Sequence, residues 1–363
     1  MKRKILFTVI AGLMLVIYLG CESSELQSAK IYAQQNDLEQ AEEYFLKAMA
    51  LESEADNAEI PFLLASEVYV NQRRYEEMIE MLDEAVRRNP NQKYEGQSIA
   101  ELAQGLREFQ GNTVFNRGVT IFNNVIRAGG ELTPEQQSEQ LLQAKTEFET
   151  AISIWSELEL AYSSLVYVCR QLGEKEQEME IIEEALERFP ESGQVLLLAG
   201  ETAWTDGDNE RALDLYQRAY EIIPDDVGLM ERLTAVYLEL GENEEALVVL
   251  ETAFEATPRD PNVNYNLGVV YNAMGGDAFE QGQVQYNAAA SATPPSLEGL
   301  EAALEYFERS QELYTEALFY LDNSLAYNPE DASASAAVSQ IQSMRRVLNT
   351  LIGSTEEIIE QRR

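Results

Sequence analysis

The sequence predicts an all-α protein, a solenoid of stacked helix-turn-helix repeats, and three observations carry that expectation. Pro190, Pro224 and Pro258 stand 34 residues apart. Gly173, Gly207 and Gly241 recur at the same interval, as do Ala185, Ala219 and Ala253. The large apolar residues Ile182, Tyr216 and Leu250 keep it too. A fixed period of this kind marks a unit that cannot bury its apolar face alone and must stack on its neighbours. Such arrays present long surfaces rather than enclosed pockets, so the period points to binding.

Each element of one unit follows from its residues. In the stretch 196–224, Ala199 and Gly200 are small enough to let two helices approach closely. Gly207 ends the first helix, because a residue with positive φ is needed there. Ala212 is the small contact of the second helix, Tyr216 its large core residue, and Ala219 faces the next unit. Pro224 stops the helix, lacking an N–H and disfavouring helical geometry in the residue before it. Leu233, Tyr237, Gly241, Ala246, Leu250, Ala253 and Pro258 repeat the pattern, and Leu267, Gly268, Tyr271 and Gly275 open another unit.

These residues resemble the tetratricopeptide repeat, and the likeness covers most of the chain after residue 20. It implies a right-handed α-solenoid over residues 21–363, with units near 22–55, 59–92, 97–158, 159–192, 193–226, 227–260 and 261–330. Capping helices are expected over 331–363. Flanking units depart from the pattern: Met78 and Glu178 stand where alanine is usual, and Cys169 where tyrosine is. Looser packing is the expectation around Cys169 and Glu178.

Two units are stretched by helical insertions. From Pro90 to the terminator-like Ser156 is 66 residues, and from Pro258 to Pro329 is 71. Second-helix residues reappear at the end of each, Ala144, Phe148 and Ala151 in the first, Ala317 and Leu321 in the second. In the first insertion Leu102, Leu106, Phe109, Val119, Phe122 and Ile126 recur at helical spacing and predict a hairpin of lengthened helices turning around 128–137. In the second, 297–329 reads as one long helix. The segment 275–296, rich in Gly, Pro and small polar residues, reads as a loop, with Gly275 and Gly276 capping a helix end.

The N-terminus carries a second signal. Lys2, Arg3 and Lys4 precede an apolar run to Gly20 interrupted only by Thr8, and Cys21 follows. A basic start, a short apolar core and a small residue before the cut describe an export signal over 1–20. The run falls short of the roughly 20 residues that span a bilayer. The cysteine after Gly20 resembles a bacterial lipobox, which implies lipidation of Cys21 and a membrane-anchored protein. Glu22 rather than aspartate after the cysteine makes the outer membrane, facing the periplasm, the expected location.

Composition narrows the partners. The chain carries 26 Lys and Arg against 64 Asp and Glu, a net charge of −38. Without residues 1–20 there are 23 against 64, or −41. Such a surface repels nucleic acid, and suits either basic partners or a high-salt medium. There is no histidine, which removes imidazole bases, Ser-His-Asp and Cys-His constellations and imidazole metal sites. No catalytic residues, metal ligands or cofactor are therefore expected, and Cys169 among Val166, Val168 and Leu172 reads as an inert buried thiol.

The resemblance also implies a groove lined by outward residues of the first helices. On this chain those are Ser164, Tyr167, Arg170 and Gln171, then Glu201 and Trp204, then Glu231 and Arg232, then Tyr265, Asn266 and Asn272. Other proteins or peptide segments are the implied partners. The functional expectation is a membrane-anchored scaffold in the cell envelope, serving outer-membrane assembly or secretion. A self-associating structural protein and an accessory subunit of an envelope enzyme complex are the alternatives.

Overall fold

The computed structural model describes residues 22–363; the expected export signal and Cys21 lie outside them. The chain divides into two compact units, one ending at Arg188 and the other running Phe189–Arg363.

The first unit is built from four helix pairs. α1 (Ser24–Gln34) turns into α2 (Leu38–Met49), and α3 over 59–72 turns into α4 (Tyr75–Arg88). α5 (Ile99–Ala128) pairs with α6 (Pro134–Ile154), and α7 (Glu159–Leu172) with α8 (Lys175–Arg188). Sequence sets the starts: Ser98 and Thr133 form capping boxes with Glu101 and Gln136, and Pro134 takes the first turn of α6. Phe45, Leu64, Met78, Leu82 and Ile99 are fully buried in its core. The intra-pair turn requires a left-handed residue, supplied by Gly173 in α7/α8 but by Asn36 and Arg73, both at φ 58°, in the first two pairs. A six-residue π-helical segment, Leu64–Tyr69, interrupts α3. Between α4 and α5 a small hairpin pairs β1 (Lys93–Tyr94) with β2 (Gln97–Ser98).

The long α5/α6 hairpin stands where the insertion predicts it, turning at Gly129 in the left-handed region. Its fully buried residues are other than those six, although Leu102 and Leu106 pack against the core. Ala103, Gly111, Val114, Gly118 and Val125 are buried, whereas Phe109 is 66% and Ile126 57% exposed. The small face wins because it lets α6 come close: a Cβ on Gly111 would sit 2.6 Å from Trp155, and one on Gly118 2.7 Å from Phe148. Bulky residues cannot occupy that seam.

The second unit repeats the pattern with α9 (Gly193–Thr205) and α10 (Asn209–Ile222), then α11 (Val227–Leu240) and α12 (Asn243–Ala256). It ends in three long helices, α13 (Pro261–Ser291), α14 (Leu297–Tyr327) and α15 (Ala332–Arg362). Segment 275–296 is therefore a correction. Helix α13 runs through it to Ser291, and Gly275 and Gly276 lie in mid-helix rather than at an end. The reason is a seven-residue repeat, Gly268, Gly275, Gly282 and Ala289, all buried against α14. A Cβ on the three glycines would fall 2.5, 2.9 and 2.6 Å from Leu321, Tyr314 and Phe307. Opposite them α14 keeps the alternating three- and four-residue spacing of a coiled-coil seam, Leu300, Ala303, Phe307, Ser310, Tyr314, Ala317 and Leu321. The low helix propensity of glycine is overridden by close packing. No helix among the described residues is long and apolar enough to cross a membrane.

Candidate functional site

In the first unit, α7 carries four of the groove residues expected from the resemblance. Tyr167 and Gln171 are exposed and Ser164 is half-buried, and they share one helical face with Leu160, which is 61% exposed. Leu160 extends the stripe by one turn (i, i+4, i+7, i+11) and went unnoticed in the sequence, although that spacing was legible. Arg170 behaves differently. Its Nε donates to Glu178 Oε1 at 2.9 Å and its guanidinium stands 5.6 Å from the Tyr167 ring centroid. Glu178, in the slot that alanine usually fills, is only 7% exposed. The site expected to be loosely packed is thus closed by an ion pair. Cys169 is fully buried there, and burial pushes its thiol up to about 11.

A second feature of this unit is a cleft of about 190 Å³ between α1 and α3, reached by Lys30, Gln34, Glu67 and Tyr94. Lys30 is held by Glu59 at 2.6 Å and Glu22 at 2.8 Å. Burial works against its charge and is outweighed by those two carboxylates, so its pKa is raised. Tyr94 comes from the β-hairpin, its ring centroid 5.9 Å from that of Phe62. Sequence reasoning missed this cleft because a two-residue strand leaves no periodic signal. The sequence offers Gly96 as a cue to the turn, and both Glu95 and Gly96 take positive φ there.

In the second unit several of the expected residues are engaged by neighbouring helices. Glu201 on α9 pairs with Arg232 on α11 at 2.7 Å, and Arg232 also donates to the Gly228 carbonyl. Trp204 Nε1 donates to Glu239 Oε2 at 3.3 Å, and Asn209 reaches the same oxygen at 2.9 Å. Trp204 is therefore a tie between two first helices. Tyr265 is partly buried and packs on the aromatic core of the three long helices. Glu231, Asn266 and Asn272 are half-buried. Burial and the nearby Asp260 raise the pKa of Glu231, against a hydrogen bond from Asn262. What stays open for a ligand is the polar edge of these helices rather than a ladder of free aromatics.

Residues 26–54, 62–92 and 160–192 match one tetratricopeptide repeat model, and residues 203–267 match another. Over those residues the chain carries tetratricopeptide repeats. The models thus recover the repeats in both units, on the pairs α1/α2, α3/α4 and α7/α8 and across α9 to α13. No curated protein matches the sequence. Among solved structures it is similar to one titled "Functional Characterization of Pseudomonas Aeruginosa pilF". That likeness has 14% identity and TM-score 0.44 over 70% of this chain and 92% of that one. A tetratricopeptide repeat protein from Parabacteroides merdae is 13% identical, with TM-score 0.35 over 88% and 97% of the two chains. MamA from Desulfovibrio magneticus RS-1 is 20% identical, with TM-score 0.31 over 53% and 97%. Likenesses this low carry no argument about what this chain binds.

Proposed function

We propose that this protein is a lipid-anchored scaffold of a bacterial cell envelope that binds other proteins through the first helices of its repeats. Tetratricopeptide repeats generally mediate contacts between proteins. The observation that carries the reading is the uncovered stripe on α7, where Leu160 is 61% and Tyr167 44% exposed on a helix whose other face is core. Tyrosine is favoured in binding hot spots because it buries a large area and keeps a polar tip.

Anchoring rests on the basic, apolar and cysteine segments that end at Cys21. Immediately after that cysteine the Ser23 N–H donates to Glu54 Oε1 at 2.8 Å, and Glu22 pairs with Lys30. A lipid on Cys21 would hold the first repeat at the headgroups with almost no tether. Several acyl chains would anchor stably where one would be marginal. The location we propose is the periplasmic side of the outer membrane, with a role in outer-membrane assembly or secretion. Fractionation of Cys21→Ser in the native host tests the anchor: the variant should stay unprocessed or wash off membranes. Wild-type protein that keeps residues 1–20 and carries no acyl mass would refute it.

A further inference from the structure

A cleft of about 460 Å³ lies in the second unit between the second helices α12 and α14 and over the first helix α13. Its apolar surface is Leu247, Met274 and Leu313, with the Tyr271 ring at one side. Tyr271 is stacked on Tyr320 with centroids 5.5 Å apart and planes at 6°, and Phe254 meets Tyr320 edge-on at 5.5 Å. Phe319 continues this aromatic face into solvent, 56% exposed. The rim is acidic. Glu312 and Glu316 line the cleft, and Glu251 and Glu316 are near enough for their charges to act on both tyrosines. The one cation of the lining, Arg309, is paired with Glu312 at 3.3 Å.

We propose that this cleft docks a basic, apolar segment of a partner protein, a lysine or arginine carried beside leucine or methionine. The apolar side chain would cover Leu247 and Met274, over the buried Leu313. The cation would lie between Glu251 and Glu316 against the tyrosine faces, where carboxylates and ring quadrupoles both attract it. A second copy of this chain fits poorly, because it brings the same acidic charge to an acidic rim. Anionic lipid and nucleic acid are disfavoured for the same reason. The inference deepens the scaffold reading and rests on it, while naming a surface that the groove does not include.

The test is fluorescence anisotropy of full-length protein in detergent with two labelled helical peptides, one with a leucine–lysine face and one with glutamate at the lysine positions. The lysine peptide should bind and the glutamate peptide should not. Reversing two exposed rim charges, Glu251→Lys with Glu316→Lys, should raise its Kd about tenfold or more. The charge-matched control Glu210→Lys with Glu221→Lys should change it little, as should Leu160→Glu with Tyr167→Ala. Equal binding of both peptides, no binding of either, or equal weakening by the rim pair and the charge-matched control would overturn the proposal. Cross-linking of native partners to α7 would still stand after such a failure, so the two readings fail separately.

Discussion

At the scale of single residues, Glu178 shows how a departure from the repeat pattern is absorbed. A carboxylate in the alanine slot predicts loose packing, yet Arg170 from the facing helix closes the space with bonds of 2.8 and 2.9 Å. The pairing was not legible, because the two residues are eight apart across a turn whose geometry only the folded pair fixes. Arg170→Ala should destabilise the protein by about 1–3 kcal/mol, since it strips a guanidinium from a carboxylate nearly out of water. Glu178→Ala in the same chain should recover most of that loss by restoring the small residue. Urea unfolding of the two single variants and the double completes the cycle; additive losses would show that the pair is not coupled. The same correction applies to the groove. The resemblance implies Trp204 and Tyr265 as groove-lining residues, whereas one ties α9 to α11 and the other packs on the long-helix core. From sequence alone an aromatic that lines a groove and one that bridges neighbouring helices are indistinguishable.

At the scale of elements, the repeat period and its punctuation were legible and the interior of the insertions was not. Proline and glycine at 34-residue spacing announce helix ends wherever the unit is regular. Inside the second insertion glycine has the opposite meaning. Gly275 and Gly282 read as loop or cap residues one at a time, and only their seven-residue spacing from Gly268 reveals a close helix seam. In the first insertion, likewise, Gly111 and Gly118 take the seam against α6 while Phe109 and Ile126 face solvent. Neighbouring glycines on α13 give a direct test. A Cβ on Gly275 would meet Tyr314 at 2.9 Å, while one on Gly276 meets nothing within 4 Å. Gly276→Ala should stabilise the hairpin by about 0.5–1 kcal/mol, because alanine is the better helix former. Gly275→Ala should destabilise it by about 1–3 kcal/mol through overpacking. Paired thermal melts check this, and equal shifts of the same sign would remove the seam from the account.

At the scale of the whole molecule, charge and repeats set the behaviour. A net charge of −38 on a chain with no histidine makes self-repulsion the main electrostatic term, and ion pairs such as Arg74–Glu42 offset it only locally. The melting temperature should therefore rise from low to molar salt as screening shortens the range of that repulsion. A flat or falling curve by circular dichroism would contradict this without touching the fold. The fold class was legible from spacing because stacking repeats must reuse one pattern. The partner was not, since solvent-facing positions of a repeat are free of that constraint. The central claim is that the exposed face of α7 binds another protein. It is tested most directly by a photo-cross-linking amino acid placed at Gln171 in the native host, with a second placed at Glu210 on α10. The account predicts a discrete cross-linked protein from position 171, lost when Leu160→Glu and Tyr167→Ala are added, and none from position 210. The same yield from both positions, or a position 171 adduct that survives those two substitutions, would contradict it.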